Sequence, residues 1–90
     1  MARVAWTDEA SEQLDLIVSY IELFDVAAAD RMGRRLLDLA ASLRDFPNRG
    51  RPVKDGTREM VTVPPYILRY DVVGEDVLIL GVRHGARRPD

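Results

Sequence analysis

The residues that offer the most chemistry are a group of cations in the second half of the chain. Arginine presents a planar guanidinium that binds carboxylates or phosphates through parallel hydrogen bonds and keeps its charge at physiological pH. His84 is the chain's single histidine, and histidine is the residue type whose ordinary pKa lies near neutrality. These residues suit the binding of an anion, with one group able to exchange a proton. The group comprises Arg49, Arg51, Lys54, Arg58, Arg69, Arg83, His84, Arg87 and Arg88.

Other kinds of catalytic or ligand site find little support in the sequence. Ser11, Ser19 and Ser42 fall within predicted helices rather than at a sharp strand-to-helix turn, which disfavours a Ser-His-Asp triad. One histidine and no cysteine leave only scattered carboxylates as metal ligands. Residues 50–52 lack the glycine spacing and the Lys-Ser/Thr pair of a phosphate-binding loop. The sequence therefore predicts no metal, no cofactor and no nucleophile of this kind.

Length and composition limit the chain to one small domain. Two cores within 90 residues would each be too small to fold without disulfides or metals. The absence of cysteine fits a reducing cytosol. No apolar stretch is long enough to cross a bilayer, and the N-terminal residues lack the apolar segment of a signal peptide. We expect a single domain over residues 1–90, located in the cytoplasm.

The net charge of −2 conceals two halves of opposite sign. Residues 1–46 hold five Arg and nine Asp or Glu, whereas residues 47–90 hold eight Arg or Lys and six Asp or Glu. Lys54 is the one lysine among the 13 basic residues. Much of this arginine fits an ordinary solvated surface, but the cations of the second half are those that could bind an anion.

Two amphipathic helices are predicted after a short strand at residues 3–6. Thr7 and Asp25 are suited to cap the two helices, and Pro47 would end the second. With only one or two residues between them, the helices should fold back as an antiparallel hairpin. Apolar residues recur every three or four positions, which places them on one face of each helix. The two faces are Ala10, Leu14, Ile17, Ile21 and Phe24, and Ala29, Met32, Leu36, Leu39, Leu43 and Phe46.

Three β-rich segments, residues 57–63, 66–73 and 77–83, occupy most of the remaining chain. The short connection that begins at Gly74 predicts a hairpin between the last two. The sequence thus predicts an α+β domain. In this domain an N-terminal strand and an antiparallel two-helix hairpin precede a three-stranded antiparallel meander, with the helices packed on one face of the sheet.

Arg69 should lie on the second strand of this meander, between Leu68 and Tyr70. Because side chains alternate along a strand, Arg69 points away from the face that carries these two neighbours. If the helices cover Leu68 and Tyr70, Arg69 lies on the open face of the sheet. There it could either bind a partner or form an ion pair with Asp71 or Glu59.

Four segments carry a family resemblance: residues 4–10, 46–52, 58–70 and 79–87. They read VAWTDEA, FPNRGRP, RE followed by PYILRY, and ILGVRHGAR. In order and spacing they resemble the ParE/RelE superfamily, the toxins of bacterial type II toxin–antitoxin modules, over essentially the whole chain. The resemblance implies the RelE/ParE-like fold, a helical hairpin on an antiparallel sheet. It also implies a small ParD-like antitoxin as partner, with an acidic amphipathic C-terminal segment.

Members of this superfamily act in two ways. RelE-like members are ribosome-dependent mRNA endonucleases that hold the scissile phosphate with basic residues and commonly use a C-terminal Tyr or His for proton transfer. ParE-like members bind DNA gyrase, trap it on cleaved DNA and break no bond themselves. The chain has no tyrosine after Tyr70 and one lysine, and arginine is a poor proton acceptor. The resemblance is therefore closer to ParE and implies a gyrase-binding inhibitor.

The two mechanisms assign different roles to the same cations. Under the RelE-like alternative, Arg69 and Arg83 would hold a phosphate and His84 would act as acid or base, with the ribosome and mRNA as partners. A third interpretation is a chain that only forms a complex with its antitoxin. Under the ParE-like interpretation no residue is catalytic, and the binding residues are Arg51, Arg58, Arg69, Arg83, His84, Arg87 and Arg88.

Overall fold

Thr7 ends the first strand and begins the first helix, as its residue type predicts. In a computed structural model that describes residues 2–85, strand β1 spans Val4–Trp6 and helix α1 spans Asp8–Glu22. The Thr7 hydroxyl accepts a hydrogen bond from the Ala10 N–H at 3.1 Å, which satisfies one of the free donors at the helix start. The predicted strand and helix are confirmed.

Asp25 has the same role at the second helix. Helix α2 spans Val26–Ser42, and the Asp25 carboxylate accepts a hydrogen bond from the Ala28 N–H at 3.0 Å. Three residues, rather than one or two, separate the helices. Gly33 lies so close to α1 that a Cβ at this position would be 3.3 Å from Val18 Cγ2. Glycine therefore allows the two helices to pack closely.

Both predicted apolar faces extend one residue too far. Phe24 is 75% exposed and Phe46 is 61% exposed, although the three-to-four spacing placed both on a core face. The helices end at Glu22 and Ser42, so the chain has left the helical path before it reaches either phenylalanine. Beyond a helix end, the 3.6-residue period no longer determines which way a side chain points.

The sheet has five strands in the order β1-β5-β4-β3-β2. Strands β3 (Arg58–Val63), β4 (Tyr66–Val73) and β5 (Asp76–His84) form the predicted antiparallel meander. Strand β1 joins the outer edge of β5 in parallel, and β2 (Arg51–Pro52) pairs with β3. The sheet is therefore mixed and two strands wider than the meander alone. No helix within residues 2–85 is long and apolar enough to cross a membrane.

The core lies between the two helices and one face of the meander. Leu36 and Leu43 from the helical side and Leu68, Tyr70 and Ile79 from the sheet are fully buried. Burial of such side chains stabilises a fold by about 1.5–3 kcal/mol each. The opposite face of β4 is left open, which is the arrangement that the strand alternation predicted.

Candidate functional site

Arg69 lies on the open face of the sheet, as predicted. Its neighbours Leu68 and Tyr70 are fully buried against the helices, whereas the Arg69 side chain is 44% exposed. Its ion-pair partner is Asp55 rather than Asp71 or Glu59. The Arg69 Nε also donates a hydrogen bond to Thr57 Oγ1 at 3.2 Å. Both partners come from the turn between β2 and β3, where Gly56 takes a φ of +88° that glycine adopts without strain.

Asp55 organises this turn as well as pairing with Arg69. Its Oδ1 accepts hydrogen bonds from the Thr57 hydroxyl at 2.6 Å and the Thr57 N–H at 3.0 Å. These two bonds, the hydroxyl first, hold the pKa of Asp55 below its usual value, and the positive charge of Arg69 acts in the same direction. Asp55 is therefore ionised at neutral pH and fixed in place beside Arg69.

The lowered pKa predicts how the stability contributed by Asp55 depends on pH. A carboxyl whose pKa falls on folding contributes stability above its unfolded pKa, about 3.9 for Asp, and loses this contribution as pH falls through the folded pKa. We expect Asp55→Asn to lower the Tm at pH 7, and the difference from wild type to close below about pH 4. Circular dichroism melts at several pH values measure it. A Tm difference that persists unchanged in strong acid would contradict this assignment.

Glu59 forms a second charge cluster beside the first. This glutamate is only 9% exposed, and its two oxygens accept hydrogen bonds from Arg51 on β2 and Arg83 on β5, each at 3.2 Å. Glu59 lies directly opposite Arg69 in the register of β3 and β4. The carboxylate thus links the edge strand β2 to β5 across the open face, and it neutralises much of the charge of two predicted binding residues.

The two clusters border a cleft of about 480 Å³, hereafter the charge-paired cleft. Residues of α1, the β2–β3 turn and strands β3 to β5 form its walls. Three cations and three carboxylates line it, so the cleft as a whole is balanced rather than basic. The lining residues are Glu9, Gln13, Val53, Lys54, Asp55, Glu59, Arg69, Leu80, Gly81, Val82 and Arg83.

His84 lies in a different depression. The His84 ring contacts Tyr66 edge-on, with the ring centroids 5.6 Å apart. Both residues line a groove of about 710 Å³ between α1 and the ends of β4 and β5, hereafter the α1 groove. Its lining includes two basic side chains and no carboxylate. The lining residues are Gln13, Leu16, Ile17, Tyr20, Tyr66, Val82, Arg83 and His84.

The structure distributes the predicted site residues over four places. Arg69 and Arg83 line the charge-paired cleft, whereas His84 lines the α1 groove, which Arg83 also borders. Arg51 contacts Glu59 at the sheet edge. Arg58 lies beside the loop before β2, where its guanidinium donates to the backbone oxygens of Gly50 and Asn48 at 2.6 and 3.2 Å. Arg87 and Arg88 lie outside the described residues.

Sequence reasoning missed Asp55 as the partner of Arg69, and it named Glu59 only as a possible partner of Arg69 rather than of Arg51 and Arg83. Asp55 has a local signature, because an Asp two residues before a Thr and next to a Gly favours an Asx turn. Glu59 has none, since its two arginines come from strands that only the sheet brings together. Among residues 2–85 no group of three or more His, Asp or Glu side chains is arranged to hold a metal ion.

Comparison with known proteins matches this fold and sequence to one family. Residues 4–89 match the family described as the ParE toxin of type II toxin-antitoxin system, parDE. The chain belongs to the ParE toxin family. The fold agrees with this assignment, because a solved structure titled "Chromosomal ParDE TA system from P. aeruginosa" superposes with a TM-score of 0.80 at 26% identity, covering 93% of this chain and 96% of that one.

Two curated relatives of this ParE-family toxin come from Caulobacter vibrioides. Toxin RelE2 is 46% identical over 87 residues, which cover 97% of this chain and 99% of the relative. Toxin RelE1 is 38% identical over 74 residues, which cover 78% of this chain and 77% of the relative. The sequence is therefore that of a type II toxin over nearly its whole length, and its relatives carry names from both branches of the superfamily.

Proposed function

We propose that this type II toxin inhibits growth by binding DNA gyrase in the cytoplasm, without cutting nucleic acid itself. The observation that carries the proposal is the balance of charge in the charge-paired cleft. Arg69 is paired with Asp55 and Arg83 with Glu59, so both are already bound to carboxylates of the chain itself. A nuclease would need such cations to face the scissile phosphate.

The position of His84 supports the same proposal. A general acid or base must reach the proton that it transfers, directly or through one water. His84 lines the α1 groove, whereas Arg69 lines the charge-paired cleft. The three residues that the nuclease mechanism would use are therefore not gathered around one depression.

The alternative is a RelE-like, ribosome-dependent mRNA endonuclease. The names of the two Caulobacter relatives favour it, and it would use Arg69, Arg83 and His84. Under this mechanism the ribosome or mRNA would have to displace Asp55 and Glu59 from their arginines. The alternative therefore requires a rearrangement of the cleft that the gyrase-binding proposal does not.

Two parallel reactions separate these functions. Purified toxin is incubated with supercoiled plasmid, gyrase and ATP, and separately with translating ribosomes and a defined mRNA. We expect dose-dependent accumulation of cleaved plasmid and an intact mRNA. Cleavage of the mRNA without any effect on gyrase would overturn the proposal in favour of the nuclease.

His84→Gln provides a residue-level prediction. If His84 makes one contact within a binding interface, its loss should cost about 1–2 kcal/mol, which weakens gyrase inhibition by roughly 5- to 30-fold. The dose for half-maximal plasmid cleavage measures this effect, with the Tm as a check on folding. A fall in mRNA cleavage of several orders of magnitude at unchanged Tm would instead identify His84 as a catalytic residue of the nuclease.

The α1 groove is the surface that best suits an antitoxin. Leu16 and Tyr20 on α1 are 66% and 63% exposed, and they face Arg83 and His84 across the groove. An apolar floor with a basic edge complements an amphipathic segment that carries acidic residues. We therefore propose that the disordered C-terminal segment of a ParD-like antitoxin folds into the α1 groove.

A further inference from the structure

We propose that the charge-paired cleft is a latent phosphate-binding site in which Asp55 and Glu59 act as built-in counterions that exclude a nucleic acid strand. The inference rests on the charge pairing that also supports the proposed function, and it concerns what the cleft would bind without its two carboxylates. It starts from what each arginine already binds. Guanidinium groups donate hydrogen bonds to carboxylate and phosphate oxygens in the same planar geometry, so a carboxylate of the chain can occupy the place of a phosphate.

Asp55 takes the position of a phosphate at Arg69. The Arg69 Nη2 contacts Asp55 Oδ2, and Nε donates to Thr57 Oγ1. The Asp55 carboxylate is held from its other oxygen by the two Thr57 donors, so it stays in this position without relying on Arg69. Arg69 is nevertheless 44% exposed, which means that an external strand could reach it if Asp55 carried no charge.

Glu59 takes the corresponding position at Arg51 and Arg83. It accepts one hydrogen bond from Arg51 and one from Arg83, each through a different oxygen. Because Glu59 is opposite Arg69 in the strand register, the two carboxylates neutralise adjacent cations along the same face. A phosphate backbone laid across this face would meet negative charge at both positions.

The charge count of the cleft shows how much depends on these two residues. Lys54, Arg69 and Arg83 face Glu9, Asp55 and Glu59 along its lining. Removing the charges of Asp55 and Glu59 would leave three cations against one carboxylate. Binding of single-stranded nucleic acid depends on such cations and weakens with salt by about 0.7 in log–log slope for each neutralised phosphate.

The test measures binding of a fluorescein-labelled 20-nucleotide single-stranded RNA by fluorescence anisotropy at several salt concentrations. We expect Asp55→Asn/Glu59→Gln to bind at least tenfold more tightly than wild type at about 50 mM salt, with a slope steeper by about 1.4 for two added phosphate contacts. The matched control is Asp30→Asn/Asp38→Asn on α2. This control removes the same charge and disrupts the exposed Asp30–Arg34 ion pair away from the cleft. An equal gain in the control, or no gain in the cleft variant, would overturn the inference.

A second comparison tests Arg69 directly and does not depend on altering the buried Glu59. Asp55→Asn alone should tighten RNA binding by several-fold, and adding Arg69→Gln should abolish this gain. A gain that survives the loss of Arg69 would show that the phosphate binds elsewhere and would contradict the assignment. Neither experiment contains gyrase or ribosomes, so the target of the toxin is decided separately by the plasmid and mRNA reactions.

Discussion

Replacing Gly50 by alanine is expected to lower the free energy of unfolding by about 3 kcal/mol, which combines overpacking of a filled site with the loss of a buried hydrogen bond. A Cβ at this position would lie 2.7 Å from both Cε1 and Oη of Tyr70 and 2.9 Å from the Glu59 carbonyl oxygen. None of these atoms is the far end of a flexible side chain. The backbone of the loop must therefore move away from the sheet.

Tyr70 cannot move aside, because its hydroxyl holds the same loop. This fully buried residue donates a hydrogen bond to the Pro47 oxygen at 2.7 Å and accepts one from the Gly50 N–H at 2.8 Å. Arg58 adds its hydrogen bonds to the Gly50 and Asn48 oxygens. The loop that joins α2 to the sheet is thus held by the side chains of Tyr70 and Arg58. An alanine at position 50 would displace the loop and weaken the hydrogen bonds of both.

Thermal and urea denaturation of Gly50→Ala measure the effect, which corresponds to a fall in Tm of roughly 12–24 °C for a domain of this size. Gly33→Ala is the matched control. Its new Cβ would meet only Val18 Cγ2 at 3.3 Å. Within a helix, alanine is more stabilising than glycine by about 1 kcal/mol. We expect the control to stay within about 1 kcal/mol of wild type. A Gly50→Ala protein with the Tm of Gly33→Ala would contradict the description of this loop.

Features that depend on neighbouring residues in the chain were the ones that the sequence could predict. The caps at Thr7 and Asp25, the two helices and the three-stranded meander all follow from local residue type and spacing, and all are confirmed. Strand β2 was missed because it has only two residues, one of them Pro52. The parallel pairing of β1 with β5 joins Val4 to Val77, and no local pattern encodes a contact over that distance.

The same distinction between local and long-range features applies to the candidate site. Strand alternation alone placed Arg69 on the open face, because it needs only the identity of two adjacent residues. The partners of the arginines could not be predicted, since Asp55 reaches Arg69 across 14 residues and Glu59 reaches Arg83 across 24. These contacts determine the balance of charge in the cleft. A count of cations in the sequence therefore overstates how basic the folded surface is.

Leu16→Asp is expected to weaken binding of the cognate antitoxin by at least 100-fold. If the antitoxin segment folds into the α1 groove, Leu16 becomes buried against it, and loss of a buried leucine costs about 1.5–3 kcal/mol before the penalty for an unpaired buried charge. Because Leu16 is 66% exposed in the free toxin, the Tm of the toxin alone should hardly change. The antitoxin is identified by co-purification with the tagged toxin, and isothermal titration calorimetry measures its affinity.

Leu37→Asp on α2 is the control for this prediction. Leu37 is also exposed, but it lines neither the α1 groove nor the charge-paired cleft. We expect the affinity of Leu37→Asp for the antitoxin to stay within about threefold of wild type, because most positions outside the centre of an interface contribute little to binding. Equal losses in the two variants, or an unchanged affinity in Leu16→Asp, would place the antitoxin on another surface of the toxin.

Leu16→Lys tests the charge of the antitoxin segment separately from its apolar contact. Both substitutions remove the same leucine, so the difference between them reports the sign of the charge that faces position 16. Arg83 and His84 on the groove select an acidic segment, which the introduced aspartate would repel and the introduced lysine would attract. We expect Leu16→Lys to retain about tenfold more affinity than Leu16→Asp, and this advantage should shrink as salt is raised because screening weakens both effects. Tighter binding by Leu16→Asp would mean that the segment is basic and that it pairs with the acidic residues of α1 instead.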